Sequence, residues 1–262
     1  MLDNQAFGQQ FGLQTAYYQL AGLFNDGLVD DLQAPKSTEV EFHLQQTFLG
    51  ELALSCLNKP YFTLKLDQEN YFIINNQKYY FKETEYYLRP WLVFLTICQI
   101  GGIDVRNELK NIQAIFQQLA PNVSTVNNQA KRLATFLNGK IGLIFTSQVH
   151  QSLGQWWRYC NESYAHNLCF CQNIEQLNFA AWTGHPVDKP FGVIDLITDF
   201  DNQQTHQLFI DKNHSLSGLM PASQSVKLHT GSHLQQLLEL MLIGQITSFY
   251  LATLQQQSLR KH

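Results

Sequence analysis

IGLIFTSQVHQSLGQWWRYCNE, residues 141–162, begins as a short apolar run and turns into a helix-patterned segment. The run from Ile141 to Phe145 is stopped by Thr146-Ser147, which predicts a buried strand feeding a helix N-terminus. In an open α/β sheet that rim takes anionic ligands, because unpaired N–H groups and the helix dipole favour negative charge there. Thr146 and Ser147 are therefore candidate phosphate contacts, although Thr-Ser at a strand end also reads as a plain N-cap. The helix closes on Asn161-Glu162, which places a carboxylate near the negative pole of the dipole. Glu162 gains nothing from the dipole in that position. A functional carboxylate and a solvated helix end are both open readings for it.

Around this unit the pattern alternates. Strands are predicted at Leu168 to Cys171, Gly192 to Thr198, Leu208 to Ile210 and Val226 to Leu228, with a helix at Ile174 to Trp182. Ser232 should cap a long apolar helix ending near Leu254. Ahead of residue 141, helices are predicted over Arg89 to Ile100, Val105 to Leu119 and Val126 to Leu137, the last stopped by Asn138-Gly139. Farther upstream the reading gives a helix over Phe11 to Phe24, a strand at Val40 to Leu44 and a helix at Thr47 to Leu57. Strands follow at Tyr61 to Leu66, Tyr71 to Ile74 and Tyr79 to Phe81. Strand-helix alternation of this kind predicts an α/β fold with doubly wound parallel sheets.

Composition narrows the function classes. At 262 residues the chain can bury one large core or two modest ones. Net charge is −4, and no basic block stands outside Arg260-Lys261-His262; nucleic-acid binding needs a clustered positive footprint. No run approaches the about 18 uninterrupted apolar residues of a membrane span. The opening MLDNQAFGQQ lacks a signal-peptide pattern, so a cytoplasmic location without membrane contact is expected. Five cysteines, an odd number without a secretion signal, argue against a disulfide framework. Cys169 and Cys171 form a CxC, but no second pair at ligand spacing accompanies them. They read as core thiols, and no metal or cofactor is expected.

The segments NNQAKRLATFLNGKIGLIF, GQWWRYCNE, IEQLNF and ELMLIGQITSFYLATL, in that order, resemble the C-terminal sugar isomerase (SIS) half of the bifunctional phosphoglucose/phosphomannose isomerases. That family shows an N-x-A-K-x-L-A helix, a G-K-x-P-x-I-Y-G strand, an N-E-N helix end and a closing L-G-D-x-x-S-x-Y-L-A-L-L helix. The likeness covers about Leu88 to Leu254. It implies SIS-like, flavodoxin-like α/β layers. The domains would be a reduced first subdomain over residues 1–120 and a C-terminal SIS-like domain over 121–262, with the site between them.

For function, the resemblance implies aldose–ketose isomerisation of a hexose 6-phosphate through an enediolate. Glu162 stands where the family's base follows Asn, and Arg89 where its sugar-contacting arginine lies. The chain also departs from the family. P-E-L-N-H-N-E becomes IEQLNFAAW, so the ring-opening histidine falls on Phe179 or Asn178, and His185 or His166 would have to substitute. The first half lacks the G-x-G-G-S and S-x-S-G-x-T-E-E phosphate loops. Two alternatives follow: a catalytically degenerate SIS domain serving as a sugar-phosphate-binding regulator or partner subunit, or an unrelated α/β scaffold. Related domains pair, which implies a homodimer.

Overall fold

The computed structural model describes residues 2–3, 12–24, 64–66, 71–74, 77–80, 87–100, 103–177, 191–215 and 223–257. The expected strand at Val40 to Leu44 and helix at Thr47 to Leu57 lie outside these. The chain divides into two compact units, one of Met1–Gln14 with Ile115–His262 and one of Thr15–Ala114.

Helix α1 (Leu13–Ala21) runs into a 3-10 turn at Gly22–Phe24. In the 15–114 unit, β1 (Leu64–Leu66), β2 (Tyr71–Ile74) and β3 (Gln77–Tyr80) form an antiparallel meander. The β2–β3 register sets Ile74 against Gln77. Helix α2 (Arg89–Ile100) follows, with Trp91, Phe94, Leu95 and Cys98 fully buried at helical spacing. Helix α3 is Val105–Gln118.

The larger unit carries a four-stranded, wholly parallel sheet. Its strands are β4 (Ile141–Thr146), β5 (Cys169–Asn173), β6 (Phe191–Thr198) and β7 (Gln224–Leu228), in the order β5-β4-β6-β7. β4 and β6 are the inner pair. Both are buried along nearly their whole length, as continuous apolar runs in a doubly covered sheet should be. Leu143, Phe145, Val193 and Ile197 pack on one face with Ile174, Leu177 and Phe209.

The other face is covered by α4 (Gln129–Leu137) and α5 (Gln151–Ala165), and α7 (His233–Leu254) packs against both helices. Ser232 caps α7 by accepting from the Gln235 N–H at 3.0 Å. α7 is buried on every side from Gln236 to Thr253. It is long and apolar enough to cross a membrane, but 94% of its most apolar window is enclosed by protein, which makes it a core helix.

Two predictions from periodicity require correction. Leu208 to Ile210 is not a strand but part of helix α6 (Gln203–Ser215). Only Thr205, Phe209 and Lys212 of that helix are buried, a stripe at i, i+4 and i+7 that is two-thirds polar and invisible to an apolar count. Of the expected helix at Ile174 to Trp182, the described part is a single 3-10 turn, Ile174–Gln176, capped by Asn173, with Leu177 in extended backbone; residues 178–182 lie outside the described residues. Both Ile174 and Leu177 are drawn into the sheet-face core.

One buried network accounts for several of the motif positions. Asn128 caps α4 by accepting from the Lys131 N–H, and its amide donates to Ala120 O at 3.1 Å and to the Tyr250 hydroxyl at 3.3 Å. Tyr250 in turn donates to Leu119 O at 2.6 Å. Lys131 Nζ, fully buried, donates to Asp3 Oδ1 at 2.7 Å and Pro121 O at 3.0 Å. The Asn, Lys and Tyr of the matching segments thus tie α4, α7 and the 119–121 turn together. Tyr250→Phe leaves Leu119 O and the Asn128 amide short of a partner in a dry site and should cost about 1–3 kcal/mol, read as a lowered urea midpoint.

Candidate functional site

The order β5-β4-β6-β7 sends the chain to opposite sides of β4, so a switch point lies between β4 and β6 at the C-terminal rim. That crevice is where open α/β sheets bind ligands. Four connections supply its side chains: Ser147 to His150 after β4, Asn173 to Glu175 after β5, Thr198 to Asp201 after β6, and His229 to His233 after β7.

The centre of the rim is a hydrogen-bonded chain of ionisable groups. His150 Nδ1 lies 2.9 Å from Asp201 Oδ1 and 2.9 Å from Ser147 Oγ. His150 Nε2 lies 2.9 Å from His233 Nε2. His150, Ser147 and Asp201 are all buried, while His233 is half-buried. Burial pushes the Asp201 carboxyl up, but hydrogen bonding and charge from His150, with Ser147 and the Thr198 N–H, outweigh it and hold it below the ordinary carboxylate value. The Thr198 N–H donates to Asp201 Oδ2 at 2.8 Å. Glu175 closes the neighbouring gap, accepting from the Gln148 N–H and the Thr205 hydroxyl, each at 2.8 Å.

Of the predicted phosphate contacts, Ser147 belongs to this cluster. Thr146 does not. Its side chain packs beside Gly154, where a Cβ would sit 3.0 Å from the threonine methyl and 2.2 Å from Cys171 Sγ, and its buried hydroxyl has no hydrogen-bond partner among the described residues. Burial pushes the Cys171 thiol up to about 11, and the Cys169 thiol higher still. Both cysteines are therefore protonated packing groups at neutral pH.

Glu162 lies elsewhere. It is eleven residues along α5 from Gln151, about 16 Å at the helical rise, and so at the opposite rim from Ser147. Its carboxylate accepts from Arg158 Nε at 3.0 Å, with the side chain 35% exposed. Asn161 beside it is fully buried; its amide donates to Trp157 O at 2.8 Å, and its Oδ1 has no partner among the described residues. Asn167 caps the same helix end, its N–H donating to Asn161 O at 3.0 Å, and its Nδ2 is likewise buried without a partner among the described residues. This rim therefore carries a half-buried carboxylate and, enclosed beneath the surface, an amide oxygen and an amide N–H without partners among the described residues. Arg89 opens α2 in the other unit, its side chain outside the described set. His185 lies outside the described residues, and His166 is the left-handed cap residue of α5, exposed.

The family model for the bacterial phospho-glucose isomerase C-terminal SIS domain matches residues 126–258. The chain belongs to this family. The matched region holds the parallel sheet, α4 to α7 and both rims. Among solved structures, this SIS chain is similar to a glucose-6-phosphate isomerase like protein from Thermus thermophilus, at 20% identity over 66% of this chain and 56% of that one, with a TM-score of 0.50. It is also similar to the C-terminal domain of glucosamine-fructose-6-phosphate aminotransferase from Francisella tularensis, at 11% identity over 68% and 55%, with a TM-score of 0.47. The chain thus spans a little over half the length of each. No curated protein matches it.

His150, Asp201 and His233 escaped the sequence reading. They are 51 and 83 residues apart, with no local spacing to betray them. The usable signal was positional: each follows a strand of one parallel sheet, and such connections converge on one crevice.

Proposed function

We propose that this SIS domain binds a hexose 6-phosphate and supports aldose–ketose isomerisation, with Glu162 as the base that moves a proton between C1 and C2 of the open sugar. The supporting observation is the Asn161-Glu162 helix end. Within the family-matched region, it carries a carboxylate next in sequence to a buried asparagine whose Oδ1, like the Nδ2 of Asn167 just past the helix end, lacks a partner among the described residues. Sugar hydroxyls both donate and accept, and buried polar groups seldom stay unpaired. Arg158 holds the Glu162 carboxylate at 3.0 Å and would yield to, or share it with, the substrate.

The Arg158 pairing also favours a second reading, in which the domain binds the sugar phosphate without turning it over. Two measurements separate them. A coupled assay should detect fructose 6-phosphate conversion that Glu162→Gln abolishes. A sugar phosphate at about 100 times its dissociation constant should stabilise the fold by about 2.7 kcal/mol under either reading. Stabilisation without conversion leaves the binding-only reading; neither effect with glucose, mannose or fructose 6-phosphate removes both. The same proposal includes a homodimer, which a monomeric mass in light scattering would refute.

A further inference from the structure

The rim cluster around His150 lies at the far end of α5 from Glu162, and the sugar-phosphate reading makes no use of it. Its two imidazoles meet nitrogen to nitrogen at 2.9 Å with ring centroids 5.2 Å apart. Each nitrogen sits little more than an ångström from its own ring centre, so the two lone-pair axes point at one another. Such a contact holds together only with a single hydrogen between the nitrogens. Asp201 supplies the reason the pair is polarised: its carboxylate accepts from His150 Nδ1, leaving His150 Nε2 to accept from the His233 Nε2–H while both rings are neutral. If His150 carries the charge instead, its Nε2–H donates to His233. Either way there is room for one proton.

We propose that His150 and His233 form a proton-operated catch that holds the first turn of α7 to the C-terminal rim of the sheet. With one shared proton the catch is closed. A second proton sets N–H against N–H and two cations beside one carboxylate, and the contact opens. His233 is the ring that leaves, because His150 is fixed by Asp201 and Ser147 and buried, whereas His233 is half-buried and meets only the tilted ring of the exposed Phe200, at 4.7 Å, on that side. The Asp199 N–H, which donates to Gln236 Oε1 at 3.2 Å, ties the same turn to the rim and is strained by the opening.

The other charged groups on the rim are accounted for. Asp199 takes His229 at 2.7 Å on the exposed side, Glu175 is held by Gln148 and Thr205, and Glu239 lies farther along α7 with Gln235 at 2.9 Å. Burial, then the charge of His150, holds His233 below the ordinary histidine value against the pull of Asp201. A histidine depressed in the fold binds its proton more readily when unfolded, so stability is full above the unfolded value, about 6.5, and declines as pH falls below it. Asp201 adds its own loss only in the carboxylate range, lower still.

The test is hydrogen exchange of the amides at 234–238, corrected for intrinsic pH dependence, at pH 7.5 and 5.5. In the wild type, protection should fall about tenfold or more, the change that one pKa unit represents. His233→Gln keeps a donor and an acceptor at that place but cannot take the second proton, so its protection should stay level. Equal loss in both proteins, or no loss in the wild type, overturns the catch. If the variant does not fold, imidazole nitrogen shifts of the wild type decide: uptake of the second proton should coincide with loss of protection. Two rings that both charge near pH 6.5 with protection intact also overturn it.

Discussion

Lys212→Met is expected to cost about 3–5 kcal/mol of folding stability, among the largest single effects in this protein. Lys212 reaches from α6 to Asp195 on β6, and both side chains are closed off from solvent. The ammonium lies over the Phe145 ring at 4.4 Å from its centroid and near Phe209 at 5.9 Å, so its surroundings are otherwise apolar. Burial draws the Lys212 pKa below its ordinary value, and the Asp195 carboxylate works against that. Only one carboxylate oxygen is engaged; Asp195 Oδ2 has no partner among the described residues. Removing the lysine strands a carboxylate in a dry site. Asp195→Val strands the ammonium and should cost a similar amount.

Because desolvation offsets much of the attraction within such a pair, the double variant Asp195→Val with Lys212→Met should recover most of the stability. Urea midpoints at constant slope measure all three. Losses in the double variant equal to the sum of the singles would show that the pair is not the source of the effect.

Trp157→Ala should also cost about 3–5 kcal/mol. The indole is fully buried between α5 and α7, donates to Leu240 O at 2.9 Å, and lies against Gly244. A Cβ at Gly244 would sit 2.7 Å from two atoms of that ring, a rigid bicycle held by its own hydrogen bond. Gly244→Ala is therefore expected to destabilise by about 1–3 kcal/mol through overpacking, although alanine is the better helix former. The two substitutions share one contact, so their effects should not add. In Trp157→Ala the extra methyl of Gly244→Ala fills space left by the indole and should be neutral or favourable. Strict additivity would place the cost of Gly244→Ala somewhere other than the Trp157 ring.

The parts of the fold that were legible in the sequence are those whose burial is apolar. β4 and β6 read directly as short Val/Ile/Leu runs, and the Ser232 cap marked the start of α7. α6 was missed because Lys212, buried only by virtue of Asp195, counts as polar in any periodicity. At the sites the same division holds. The positions of Ser147 at a strand end and of Glu162 at a helix end could be picked out, and the structure places them at opposite rims of the sheet. The His150–Asp201–His233 chain is made only when three connections of one sheet meet, a tertiary fact with no footprint in local spacing.

α7 is the last described element along the chain and the most enclosed, packed against α4 and α5. Until residues 233–254 have left the ribosome, the faces of those two helices that α7 packs against lack that cover. The sheet can be laid down strand by strand during synthesis, but the unit cannot close early. A nascent chain halted before the last helix would therefore offer chaperones an oily cleft of about that helix's own length, roughly 30 Å.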